Sequence, residues 1–120
     1  MKESTSTDQE LRDAIDMVSQ AFSDARYGEA LLMLRPLADA GVAEAIGMLA
    51  LAYERGAGVE MDSEKAIELY KKAMEMGDAI AAFHLSKLYR RGMASVEANF
   101  DLAEQYLKRA KDLGLEDSAF

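Results

Sequence analysis

Three nine-residue stretches of the chain carry one pattern: Ala14-Ile-Asp-Met-Val-Ser-Gln-Ala-Phe22, Ala45-Ile-Gly-Met-Leu-Ala-Leu-Ala-Tyr53 and Ala81-Ala-Phe-His-Leu-Ser-Lys-Leu-Tyr89. Each opens on a small residue, places an aliphatic four positions on (Val18, Leu49, Leu85) and closes on an aromatic eight positions on (Phe22, Tyr53, Tyr89). Residues spaced i, i+4, i+8 lie on one face of an α-helix. Three such helices in 120 residues make a repeat protein, and a repeat this short cannot bury its apolar face without a neighbour.

The breakers between the stretches complete the unit. Met1–Ser6 reads as a frayed lead-in, and Thr7 as an N-cap with Glu10 as its capping-box partner. The first helix is expected from about Asp8 to Ala25, with Leu11, Ile15, Val18 and Phe22 inward, and Arg26-Tyr27-Gly28-Glu29 as the turn. A second runs to about Ala40 with Ala30, Leu31, Leu34, Leu37 and Ala38 inward; Pro36 should kink or shorten it, and Gly41 ends it. The third (about Val42 to Arg55) ends at Gly56, and Asp62 caps the fourth (about Ser63 to Met76), which stops at Gly77. The fifth (about Asp78 to Arg91) stops at Gly92, and Asn99 caps a sixth ending near Leu113. Gly41 to Gly77 is a spacing of 36 and Gly77 to Gly114 one of 37, whereas Ala14 to Ala45 is only 31. The expected fold is all-α: a solenoid of three antiparallel helix pairs in one domain, with units at about 8–41, 42–77 and 78–114 and a short tail 115–120.

The run Ala45…Leu49…Tyr53…Gly56-x-Gly58-Val59…Asp62…Lys65-Ala66…Tyr70…Ala73…Gly77-Asp78 resembles the Sel-1-like repeat family, and the shorter first unit resembles its relative, the tetratricopeptide repeat. The third unit departs at Gly92-Met93-Ala94-Ser95-Val96, which lacks the second glycine. The resemblance implies a right-handed superhelix whose concave side, lined mainly by the first helix of each pair, binds other proteins. It does not imply an enzyme.

Aligning the fourth and sixth helices puts Glu104 where Ile67 stands and Lys111 where Met74 stands. Both changes are apolar to charged and seven residues apart, hence on one face, as a terminal repeat needs. Ser118-Ala119-Phe120 fall where a fourth repeat would begin, and read either as a tail folding over the end or as a contact for a second copy there, giving a homo-oligomer.

Fourteen Lys plus Arg against 22 Asp plus Glu leave a net charge of -8, which argues against nucleic acid and anionic membranes, since both call for a cationic footprint. The absence of cysteine removes disulfides and thiolate metal sites and fits a reducing compartment. No apolar signal segment opens the chain and no uncharged stretch of 18 residues follows, so neither a signal peptide nor a membrane span is expected.

Chemistry finds little support. The sole histidine, His84, has Ile80, Ala81, Lys87 and Leu88 as helical neighbours, none an acid or a nucleophile. Asp13 and Asp16 share a helix face and would suit a metal or an acid/base pair, but such pairs are usually a solvated face. Gly56-Ala-Gly58 has no preceding strand and no following Lys-Ser/Thr, so it reads as a repeat turn and not a phosphate cradle. The eight methionines read mostly as core. No cofactor is expected.

The groove that the resemblance implies would be lined by Asp13, Asp16, Met17 and Gln20 in the first helix, Glu44, Met48, Leu51 and Arg55 in the third, and Phe83, His84, Lys87, Arg90 and Arg91 in the fifth. Its charge is graded from acidic through apolar to basic. One reading has the arginine pair hold a carboxylate of the bound segment through parallel hydrogen bonds; the other has Arg90 and Arg91 complement a helix C-terminus. The expected function is a non-catalytic adaptor or scaffold, in a bacterial cytoplasm, that binds a peptide or protein segment. A small acidic chaperone for a secreted or aggregation-prone client is the alternative, and a hydrolase using paired carboxylates the remote one.

Overall fold

The computed structural model describes the backbone of residues 2–116 and the side chains of residues 7–116. Six helices follow in order: α1 (Lys2–Ser23), α2 (Tyr27–Asp39), α3 (Ala43–Arg55), α4 (Ser63–Glu75), α5 (Ala79–Arg91) and α6 (Phe100–Asp112). Each odd-numbered helix packs on the even-numbered helix that follows it, and α2 on α3 and α4 on α5 join successive pairs. The result is an all-α solenoid, as the periodicity predicts.

The core is built largely of alanine. Ala45, Ala50, Ala66, Ala73, Ala81, Ala82 and Ala110 are buried between helices, and Ile15, Val18, Leu34, Ile46, Leu85 and Leu88 fill the space around them. Small side chains at the crossings let the axes approach, and the larger ones interdigitate beside them.

Four helix ends share one hydrogen-bond pattern. Arg26 N–H donates to Ala21 C=O, Val42 to Leu37, Asp78 to Ala73 and Leu115 to Ala110, each with the preceding residue in the left-handed region. This is the Schellman closure, which glycine adopts without a Cβ penalty. Gly41, Gly77 and Gly114 occupy three of the positions, and Ala25 (φ 61°) the fourth. The first turn therefore falls at residues 24–26, earlier than Arg26–Glu29, and Gly28 lies inside α2. Asp62 and Asn99 cap α4 and α6 by accepting from the N–H of Lys65 and Leu102, each at 3.0 Å. Both capping residues also donate backbone N–H to the carbonyl of the closing aromatic, Tyr53 or Tyr89. The third-unit loop reaches the same end without a second glycine, because Met93 and Val96 exchange backbone hydrogen bonds across a tight turn. In the second unit Gly58 touches α2: a Cβ there would lie 2.7 Å from that of Tyr27.

Several expectations are corrected. α1 begins at Lys2, so Thr7 sits within the helix and does not cap it; nothing from Lys2 to Glu10 breaks a helix. Leu11, expected inward, is 36% exposed, because it lies on the N-terminal half of a helix longer than its partner α2. α2 runs through Pro36 to Asp39; the proline is exposed and within the last turn, where the missing N–H costs one bond. Of the methionines, Met74 is buried and Met33, Met48 and Met93 are half-buried, while Met17, Met61 and Met76 are exposed. Glu104 and Lys111 are exposed on α6. Ser118–Phe120 lie outside the described residues.

Candidate functional site

The face shared by α1, α3 and α5 carries two depressions. One, of about 430 Å³, lies between α1 and α3 and is lined by Phe22, Tyr27, Met48, Leu51 and Arg55 among others. The second, of about 350 Å³, lies between α3 and α5 and is lined by Gly47, Met48, Leu51, Asp78, Ile80 and His84 among others. Glu44, Met48 and Leu51 belong to both, so one strip of α3 forms the ridge between them. That strip follows from spacing: 44, 48, 51 and 55 recur at helical intervals along one edge of α3.

The rims differ in charge. At the N-terminal ends of α3 and α5 stand Glu44 and Asp78; at the C-terminal end of α3 stands Arg55. Arg12 of α1 donates to Glu44 at 3.0 Å, tying the first helix to the third. Asp78 caps α5, accepting from Ile80 and Ala81 N–H at 3.0 and 3.4 Å. Burial pushes the Asp78 carboxyl above its ordinary value, the two backbone hydrogen bonds pull it back, and the charge of Glu44 raises it further.

A buried polar network ties the second pair to the third. Glu54 on α3, only 8% exposed, accepts a hydrogen bond from the Tyr70 hydroxyl at 2.7 Å and an ion pair from Arg91. His84 stacks on the Tyr70 ring at 5.3 Å with 17° between planes. Burial lowers the histidine's pKa; Glu54 opposes that shift, and Lys87, Arg55 and Arg91 add to it.

The residues expected to line one groove divide into three groups. Glu44, Met48, Leu51, Arg55 and His84 do line the depressions. On α1, Asp13, Asp16, Met17 and Gln20 are exposed and line neither; Ser19, Phe22 and Ser23 form the wall instead, because α1 turns a different arc toward α3 than its repeat register suggests. Asp13 accepts from Gln9 at 2.9 Å, Asp16 pairs with Arg12 at 3.5 Å and Gln20 donates to Asp24 at 3.1 Å, so each is held by a residue four positions away along the chain. On α5, Lys87 lies over the Phe83 ring at 5.3 Å. Arg90 and Arg91 diverge, Arg90 to Glu104 of α6 at 3.7 Å and Arg91 to Glu54. The two arginines thus meet different neighbours instead of converging on one point.

Sequence reasoning missed the Glu54–Tyr70–Arg91 network, although one signal was available. Tyr70 occupies a stripe position at which the neighbouring units carry Leu34 and Leu107, and a fully buried tyrosine needs a partner for its hydroxyl. Phe22 and Tyr27, which read as core and turn from the sequence, line the first depression with their rings 6.2 Å apart. Among the described residues no group of three or more His, Cys, Asp or Glu is placed to hold a metal ion. Among them, too, no helix is long and apolar enough to cross a membrane.

Known proteins share this architecture. The chain is 36% identical over 62 residues to chitin synthase regulatory factor 3 of Schizosaccharomyces pombe, a stretch that covers 52% of this chain and 7% of that protein. The crystal structure of a Sel1 repeat protein from Oxalobacter formigenes superposes with a TM-score of 0.69 at 26% identity, over 80% of this chain and 39% of that one. The protective antigen c5321 of uropathogenic Escherichia coli, which displays an SLR fold, superposes with a TM-score of 0.68 at 25% identity, over 74% of this chain and 19% of that one. The chain thus spans well under half the length of each. Residues 43–78 and 79–115 match the Sel1 repeat family, whose members generally mediate protein–protein interaction and are typically non-catalytic. Those two matches cover more than half of the sequence and coincide with the α3–α4 and α5–α6 pairs: the chain belongs to the Sel1 repeat family.

Proposed function

We propose that the chain is a non-catalytic adaptor that holds a segment of another protein on the face shared by α1, α3 and α5. One observation carries the reading: two adjoining depressions, apolar at the shared Met48 and Leu51, open on that face, with acidic and basic groups at opposite ends. A segment laid across the ridge would place one side chain in each depression, its carbons against Met48 and Leu51, and offer a carboxylate to Arg55. Among the described residues no ion-pair partner holds the Arg55 guanidinium. In this reading α1 and α2 (about residues 8–41) serve as the first of three repeats, since they supply one wall of the groove. The similar stretch in a protein named as a regulatory factor fits an adaptor that acts by binding. The lack of cysteine fits action in the cytoplasm.

The test is affinity capture with wild type and a Leu51→Asp variant shown to be folded by circular dichroism. Leu51 is half-buried on the ridge, so a charge there spoils both depressions while leaving the core residues in place. A partner held by wild type and lost by the variant supports the groove. A partner held equally by both moves the binding face elsewhere.

A further inference from the structure

Resting on the groove reading, the geometry points to the second depression as the docking place of a lysine or arginine side chain from the partner. The side chain's methylenes would lie on Met48, Leu51 and Ile80, and its charged head between Asp78 and Glu44.

The depression offers both halves of such a site. Its apolar wall includes Ile80, which is 50% exposed at the first turn of α5 and spends that apolar surface on water. A long basic side chain suits such a wall, because it covers apolar surface with its stem while keeping its head at a polar group. The polar group is at hand. Asp78 uses Oδ1 to cap α5, while Oδ2 accepts no hydrogen bond and meets no cation among the described residues. Oδ2 lies over Gly47: a Cβ built on that glycine would stand 3.1 Å from it. The missing side chain at 47 leaves that oxygen a lane into the depression.

The positive end of the α5 dipole favours a carboxylate at the cap, while burial and the charge of Glu44 weigh against it and push the Asp78 carboxyl up. Arg12 relieves Glu44 from the α1 side, but among the described residues no cation pairs with Asp78. A cation from outside would offset both the repulsion and the cost of burying the carboxylate. The chain as a whole reinforces the choice, since a net charge of -8 draws basic segments and repels acidic ones.

The experiment is an NMR titration of the ¹⁵N-labelled protein with two tripeptides blocked at both ends, leucine-arginine-leucine and leucine-glutamine-leucine. The expected result is saturable shifts of the Gly47, Met48, Ile80 and Ala81 amides with the arginine peptide, and roughly tenfold weaker binding of the glutamine peptide. Asp78→Asn keeps the cap, so its thermal midpoint should stay within a few degrees of wild type while the preference for arginine disappears. Equal binding of the two peptides in the depression would overturn the cation site and leave the apolar groove standing. Shifts centred on Asp13 and Asp16, no saturable shift at all, or a preference that survives Asp78→Asn would each overturn it too, while the groove itself is judged by the Leu51→Asp capture.

Discussion

Replacing Glu54 by alanine tests how the second and third helix pairs are held together. The Tyr70 hydroxyl, in a side chain with no exposed surface, would lose its acceptor. Leaving one buried polar group unsatisfied costs about 1–3 kcal/mol. Arg91 would lose its partner as well, but its side chain is 56% exposed and water replaces the carboxylate, so that loss adds no more than about 1 kcal/mol. The expected total is about 2–3 kcal/mol, which for a chain of this size lowers the thermal midpoint by roughly 6–12 °C. Glu54→Gln keeps an acceptor for Tyr70 and should lose only about 1 kcal/mol. Urea unfolding at neutral pH reads these differences, and a double-mutant cycle with Tyr70→Phe isolates the hydrogen bond as a coupling of about 1 kcal/mol. A Glu54→Ala variant within about 0.5 kcal/mol of wild type, or losses that add fully in the cycle, would refute the reasoning.

Ala25→Gly should stabilise the protein by about 1 kcal/mol, because it removes the Cβ from the one Schellman position not occupied by glycine; an unchanged or lower urea midpoint would count against that assignment. His84 is held below its ordinary value of 6.5 by burial, so between its folded and unfolded values the unfolded chain binds more protons. Stability should therefore rise with pH across that window and be lost as the pH falls below about 6.5. Glu54, Lys87, Arg55 and Arg91 set the charge around the ring, and His84→Phe, which keeps the stacked ring, should flatten the stability profile below the ordinary histidine value of 6.5. An identical slope in both proteins would remove His84 as the cause.

What was legible in the sequence was local. The stripes of Ile15, Val18, Leu49 and Leu85, the caps Asp62 and Asn99, and the glycines at 41, 77 and 114 each declare themselves within a turn or two of chain. The first unit was less legible because its signals are weaker: Ala25 takes a conformation that alanine seldom adopts, and α1 continues upstream of any capping residue. Of the residues expected along the groove, those of α3, whose repeat register is regular, line the depressions, and those of α1, whose rotation depends on tertiary packing, do not. Arg90 and Arg91 illustrate the same limit. Adjacent residues on a helix point about 100° apart, so one arginine reaches α6 and the other α3, and the partners that decide this lie 37 residues away for Glu54 and on a different helix for Glu104.

The most direct measurement of the central claim is site-specific photocrosslinking. A benzophenone side chain is placed either at position 51, on the ridge between the depressions, or at position 71, on the exposed side of α4. After irradiation in host lysate, the account predicts a discrete adduct with one partner protein from position 51 and none from position 71. Adducts from position 71 alone would contradict it and assign binding to the opposite face.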